Sequence, residues 1–249
     1  KEEKKDQPDN LNNKITSKQA NVVAEQNNKV TLNDKQTQKK KASKRSTSFF
    51  FSFSAGPDLS FVSADKPGTT KLLAGGGVGF TLHNKLTIRT GFYAGRKVYS
   101  ASPDNYNPPQ NFWTYYPNMQ KIDADCKVYE IPLSLSYNFG HSGKSNWFAS
   151  AGISSLIMKK EVYNYYYKYT PTGSTVNRKW TLENENNHYF SVLTLSGGYQ
   201  RKLGNHISLT AEPYVKLPLT GIGFGKVKLN SGGVLFTIAV NPFSKKDRP

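Results

Sequence analysis

The stretch KVYEIPLSLSYNF, Lys127–Phe139, decides how the chain folds. Side chains alternate faces along an extended strand. Tyr129, Ile131, Leu133, Leu135, Tyr137 and Phe139 therefore share one side, and Val128, Glu130, Pro132, Ser134, Ser136 and Asn138 the other. One face is a run of aliphatics with aromatics at both ends; the opposite face is small and polar, with a single carboxylate. The apolar face spans about eleven residues, roughly what a tilted strand needs to cross a bilayer.

The same alternation recurs on both sides of this stretch. Upstream it predicts strands over Phe49–Phe61, Leu72–Leu82 and from Leu86 to about Tyr99; downstream, over Trp147–Ile157, Tyr189–Tyr199, Ile207–Leu217 and Val234–Val240. The second strand is glycine-rich (75, 76, 77 and 79), which points to close packing in a narrow barrel rather than to a phosphate loop, since no helix follows. The connections alternate in length. Val62–Lys71, Ser100–Asp125, Lys159–Asn187 and Pro218–Gly232 are long; His83–Lys85, Gly140–Asn146 and Lys202–Asn205 are short. Eight strands with short turns at one end and long loops at the other predict an all-β fold, an eight-stranded antiparallel up-and-down transmembrane β-barrel over 48–243. A soluble up-and-down barrel of lipocalin type is the alternative, but it would hold its aliphatics inside. Aromatics flank the apolar band at both ends: Phe49, Phe51, Tyr137, Phe139, Trp147 and Tyr199 by the turns, Tyr99, Tyr129 and Tyr163 by the loops. Two such girdles favour the membrane reading.

Composition agrees with a barrel. Hydrophobic residues are 36% of the 249, and no run reaches the eighteen or so apolar residues of a spanning helix. A barrel shows lipid only every second residue, so low mean hydropathy is expected of it. Cys126 is the single cysteine, which excludes an internal disulfide and a cysteine-rich metal site. The net charge of +17 is spread over tail, turns and loops, without a nucleic-acid-binding module.

Residues 1–47 are rich in Lys, Asn and Gln, carry no aromatic, and hold twelve Lys/Arg against six Asp/Glu. Such a segment buries too little apolar surface to offset the entropy of ordering, so a disordered N-terminal tail is expected. Extended, it would reach on the order of 150 Å, enough for a basic periplasmic linker. The first residue, Lys1, is expected to follow either a removed signal peptide or a longer upstream chain. Residues 244–249 read as a short C-terminal tail.

The strand EIPLSLSYNFG (130–140) and the closing run AEPYVKLPLTGIGFGKVKLNSGGVLFTI (211–238) give the chain its resemblance to a known family. Over residues 48 to about 243 it resembles the outer-membrane β-barrels common in Bacteroidetes, relatives in shape of the OmpA and OmpX barrels. The resemblance implies delivery to the outer membrane, with a signal peptide or inner-membrane helix upstream, and says little about function. One departure is the ending: such barrels often close on an aromatic, whereas Phe243 is followed by Ser-Lys-Lys-Asp-Arg-Pro.

Two groups of residues could carry function. Arg89, Glu130, Glu212 and Lys216 face inward on strand parity, with Asp58, and must be paired in so narrow an interior. They form either a static ion-pair plug or a gate for small ions. The second group is aromatic and lies in two loops: Phe112, Trp113, Tyr115 and Tyr116 in one, Tyr165, Tyr166 and Tyr167 in the other. Loop aromatics suit partner binding, or the loops could pack on each other and cap the mouth. Histidines 83, 141, 188 and 206 are all expected at the turn end, so no Ser/His/Asp set assembles and a loop-end hydrolase is disfavoured. No metal or cofactor is expected. The expected partners are outer-membrane lipid and a protein of the envelope, not nucleic acid. The reading that results is a non-enzymatic anchor or accessory subunit with a periplasm-reaching tail, with a small gated pore as the alternative.

Overall fold

The structure, a computed structural model, describes residues 47–142 and 144–243. The expected N-terminal tail, apart from Thr47, and the expected C-terminal tail lie outside the described residues.

Nine strands form one antiparallel sheet: β1 (Thr47–Phe61), β2 (Lys71–Leu82), β3 (Leu86–Ala101), β4 (Met119–Ser142), β5 (Ser145–Tyr167), β6 (Val176–Glu183), β7 (Asn187–Lys202), β8 (Ile207–Pro218) and β9 (Asn230–Val240). Their order is β4-β3-β2-β1-β9-β8-β7-β5-β6, and β4 also pairs with β5. That last pairing closes a ring of eight strands. β6 stands outside the ring and pairs only with the outer half of β5, Lys160–Tyr167.

Three of the expected loops are therefore partly strand. β4 begins at Met119 and β3 runs to Ala101, so Ser100–Asp125 shrinks to the connection 102–118, which holds a 3-10 turn (Pro103–Asn105) and one α-helical turn, α1 (Phe112–Tyr115). Lys159–Asn187 contains the end of β5 and all of β6, and β9 begins at Asn230. The outward positions of the β4 and β5 extensions are mostly charged or polar (Lys121, Asp123, Asp125, Lys160, Asn164) rather than aliphatic, which hides them from a search for lipid-facing strands.

Within the lipid belt, the wall residues of β1, β4 and β9 face the way the alternation requires. Leu133 and Leu135 on β4, Phe53 on β1 and Ile238 on β9 are about half exposed or more, at 49%, 51%, 67% and 51%. Ser52, Ser54, Ser60, Ser136, Ser150, Ser154, Thr210 and Thr237 are buried in the lumen. A water-soluble barrel would have these reversed, so the lipocalin-type alternative falls. From Tyr129 to Phe139 the apolar face measures about 33 Å along the strand, or about 25 Å of membrane at a tilt near 40°. Beyond Tyr129 the same face of β4 changes to Lys127, Asp125, Asp123 and Lys121, which marks where lipid ends.

At the short-turn end, Trp147 and Tyr199 pack with tilted rings, centroids 4.9 Å apart, on the outer wall, beside exposed Tyr137 and Phe139. The turn at His83 and Asn84 has positive φ at both residues (52° and 58°), the hairpin geometry that matches strand twist. The inward glycines of β2 make room for neighbours: a Cβ on Gly79 would sit 2.1 Å from the Phe50 ring.

The loop-end girdle departs from expectation. Tyr129 lies on the wall, 5.0 Å from the Phe92 ring. Tyr99 and Tyr163 instead point inward, 2% and 0% exposed. Tyr99 shares the odd parity of inward Tyr93, and Tyr163 is turned by a bulge: Lys127 pairs with Lys160 but Val128 with Met158, leaving Lys159 extra. Their place on the wall goes to Tyr189 and Phe190, both exposed. There β7 carries extra residues against β5, between the pairs Leu156–His188 and Ser154–Val192. Phe190 has φ 49°, and its N–H donates to Ser155 Oγ at 3.0 Å.

Candidate functional site: a filled lumen under an aromatic plug

The lumen is filled by three ion pairs. Arg89 of β3 makes a two-pronged contact with Glu212 of β8, at 2.8 and 2.7 Å, and the Ser196 hydroxyl donates to the same carboxylate at 2.7 Å. Lys216 of β8 donates to Glu130 of β4 at 2.6 Å. Lys97 of β3 donates to Asp58 of β1 and, at 3.0 Å, to Ser231 Oγ. Tyr214 adds a hydrogen bond to Asp58 at 3.0 Å. Three cations thus face three carboxylates across the barrel. Lys97 is absent from the sequence-based set, although it shares the inward parity of Tyr93 and Gly95. Between the pairs lies a cavity of ≈ 80 Å³ lined by Arg89, Glu130, Ser134, Ser150, Thr194 and Glu212. Its size suits several waters at about 10–15 Å³ each. Three hydroxyls of the lumen, on Ser136, Ser154 and Thr194, have no protein partner among the described residues.

Above the ion pairs the interior turns aromatic. Tyr99, Tyr106, Phe112, Tyr163, Tyr165 and Tyr167 are buried together with Ile122, Met158 and Val227. The Tyr163 and Tyr165 rings stack 5.9 Å apart, Phe112 packs on Tyr165 at 5.2 Å, and Phe224 meets Trp180 at 4.5 Å. Tyr106 and Tyr165 share a hydrogen bond of 3.0 Å. Burial pushes the Tyr106, Tyr163 and Tyr165 phenols well above their ordinary range, and does the same to the Cys126 thiol. All four stay neutral at physiological pH.

The seven loop aromatics therefore separate. Phe112, Tyr165 and Tyr167 are core residues of the plug and cannot touch a partner. Tyr116 and Tyr166 are half-buried; Tyr116 packs at a tilt against Tyr165 and takes Arg178 over its ring. Trp113 and Tyr115 stay exposed on α1, at 42% and 71%, and Tyr169 joins them. The same bulge that turns Tyr163 inward accounts for Tyr165 and Tyr167.

A polar cluster sits in the plug wall that sequence reasoning placed wrongly. Glu161 is buried, accepting from Tyr163 OH, from Asn186 Nδ2 at 2.5 Å and from Phe224 N at 3.1 Å. His188 was expected at the turn end, but it opens β7 and so lies at the loop end, where Gly223 N donates to its Nε2 at 2.9 Å. No hydroxyl or thiol of the described residues hydrogen-bonds to this ring, so a nucleophile–base pair is not formed. Among the described residues no three His, Cys, Asp or Glu side chains gather as a metal set.

A closed eight-stranded antiparallel barrel with a polar, filled lumen and an apolar outer belt defines a class, the transmembrane β-barrels of outer-membrane type. Solved barrels of this kind resemble it. Neisserial surface protein A shares 14% identity over 78% of this chain and 98% of its own, with a TM-score of 0.46. Ail of Yersinia pestis shares 12% over 78% and 98%, at 0.37, and the N-terminal barrel of Pseudomonas aeruginosa OprF 12% over 79% and 99%, at 0.36. These likenesses concern barrel shape; the class rests on this chain's own closure and outward face. No protein-family model matches the sequence, and no curated protein does.

Proposed function

We propose that the protein is a non-enzymatic outer-membrane anchor or accessory subunit that holds an envelope complex through its loop-end extension. The observation behind this reading is the contrast between the two ends. The lumen is occupied by mutually satisfied ion pairs and sealed above by the aromatic plug, which suits a support better than a conduit. Meanwhile β3, β4, β5 and β6 continue beyond the lipid belt as a braced sheet, with Trp113 and Tyr115 on a short helix at its tip. Exposed Trp and Tyr on a rigid base are the usual anchors of a protein interface.

On this reading the lysine-rich residues 1–46 contact a second partner on the short-turn side, where Thr47 pairs with Leu82 at the start of β1. The test is affinity capture of the full chain from detergent-solubilised envelopes of its native host. A partner retained by the wild type should fall about tenfold or more with Trp113→Ala/Tyr115→Ala, in line with a hot-spot loss of about 1.4 kcal/mol or greater. Undiminished recovery would remove the interface role.

A gated pore is the second reading. It is favoured by the cavity among Arg89, Glu130 and Glu212, where a change of ion-pair partners would connect existing space.

A further inference from the structure

On the outer wall of β3, β4 and β5, the last lipid-facing row consists of Ala94, Tyr129 and Ile157, paired in register. Just beyond it, Arg96 pairs with Lys127, and Lys127 pairs with Lys160. Three cations thus lie directly opposite one another on adjacent strands, an arrangement that destabilises a sheet unless opposite charge meets it. Two of the three are met: Arg96 by both oxygens of Asp125, and Lys160 by Glu183 at 2.6 Å. Lys127, in the middle, has no carboxylate within ion-pair distance among the described residues. Lys159, the extra residue of the β5 bulge, is exposed beside the row. The Lys160 ammonium, hydrogen-bonded to Glu183, holds that carboxyl below its ordinary value, and Lys159 and Lys127 pull the same way. Lys160 lies opposite Lys127 in register and Lys159 is its chain neighbour, so the three lysines form one patch.

Depth decides what meets this charge. The row lies one outward-facing step past Tyr129, about 6.6 Å along the strand. That is the zone just outside the hydrocarbon, where lipid headgroups lie. The surface is continuous with the lipid-facing belt, so the nearest available anion belongs to lipid. We propose that Lys127 and Lys159, flanked by the braced cations Arg96 and Lys160, bind the phosphate of a lipid headgroup at the loop-side edge of the barrel. The bulge then has two effects: it turns Tyr163 and Tyr165 into the plug and sets a second free lysine beside Lys127. The proposal rests on the membrane reading and not on any partner.

The experiment uses the full chain in nanodiscs of phosphatidylcholine with phosphatidylglycerol as minor component, and native mass spectrometry to count retained lipids. Wild type should keep phosphatidylglycerol in preference to phosphatidylcholine. Each lysine near a membrane surface is worth about five-fold in binding anionic lipid. Lys127→Gln should lower retention about five-fold and Lys127→Gln/Lys159→Gln roughly 25-fold. A charge-matched control at the opposite rim, Lys144→Gln/Lys202→Gln, should leave that retention unchanged. Equal retention by wild type and the Lys127/Lys159 pair overturns the site, and so does an equal loss in the control, which would reduce the effect to net charge. Inorganic phosphate should not compete; displacement of the lipid by millimolar phosphate overturns the headgroup assignment. Heat-dependent gel mobility shows that each variant is folded. A wild type that does not enter nanodiscs at all instead fails the membrane reading beneath.

Discussion

Lys216 and Glu130 meet at 2.6 Å with both side chains less than 10% exposed. A buried pair adds little net stability over apolar side chains of the same size, because desolvating two charges offsets their attraction. Removing one partner is different, since the other charge is then stranded. Glu130→Gln should therefore cost about 3 kcal/mol or more, read as a lower urea midpoint of the folded barrel in detergent micelles. Glu130→Met/Lys216→Met should recover most of that loss. A single substitution as mild as the double would show that lumen water screens the pair and that the plug is not held by charge. Gly56 is a second sensitive point for another reason. A Cβ there would stand 1.9 Å from the Val234 carbonyl, across the seam where the first strand β1 meets the last strand β9.

Among the elements, β5 shows most clearly what could be read from sequence and what could not. Its membrane half follows strict alternation, with Trp147, Ala149, Ala151 and Ile153 on the outer face, and that half was legible. So were Arg89, Glu130, Glu212 and Lys216 as inward residues, because β3, β4 and β8 keep their parity across the lipid belt. Lys97 and Tyr99 were within reach of the same count carried two turns of the alternation further. Past Lys159 the count fails, since one extra residue reverses every later side chain. Nothing local in MKKEV announces the bulge; the pairing with β4 fixes it. Tyr163, expected in the wall girdle, and Tyr165 and Tyr167, expected in a partner-binding loop, consequently turn into the plug, and two of the seven expected partner residues go with them. Deleting Lys159 should restore simple alternation and expose the plug. Cys126, buried below those tyrosines with its thiol pushed up by burial, reports this directly. Only a thiolate reacts with a maleimide. Intact wild type should therefore resist a membrane-impermeant maleimide even at pH 8.5, whereas the deletion variant should be labelled within minutes. Equal resistance in both would mean that the plug does not depend on the bulge.

At the scale of the whole molecule, the two readings of function divide over whether the ion pairs are permanent. Among the described residues, every lumen cation has a carboxylate opposite it: Arg89 with Glu212, Lys216 with Glu130, Lys97 with Asp58. A support has no need to break these pairs. A gate must exchange partners, and the neighbouring Lys97 and Lys216 give Glu130 two cations to choose between. The aromatic plug adds a second barrier in series, so opening the ion pairs alone would not yet connect the two sides. Anchor and pore therefore make opposite predictions for a two-part change. In planar bilayers, wild type, Glu130→Gln and Glu212→Gln should all be silent if the barrel is an anchor, and even the Lys159 deletion should stay silent while the ion pairs hold. Combining that deletion with Glu212→Gln removes the plug and unpairs Arg89, and should give small, anion-favouring steps because uncompensated positive charge would then line the path. If a single carboxylate substitution already conducts, the ion pairs are the working gate and the plug is permeable as built. The anchor assignment would then give way to the pore.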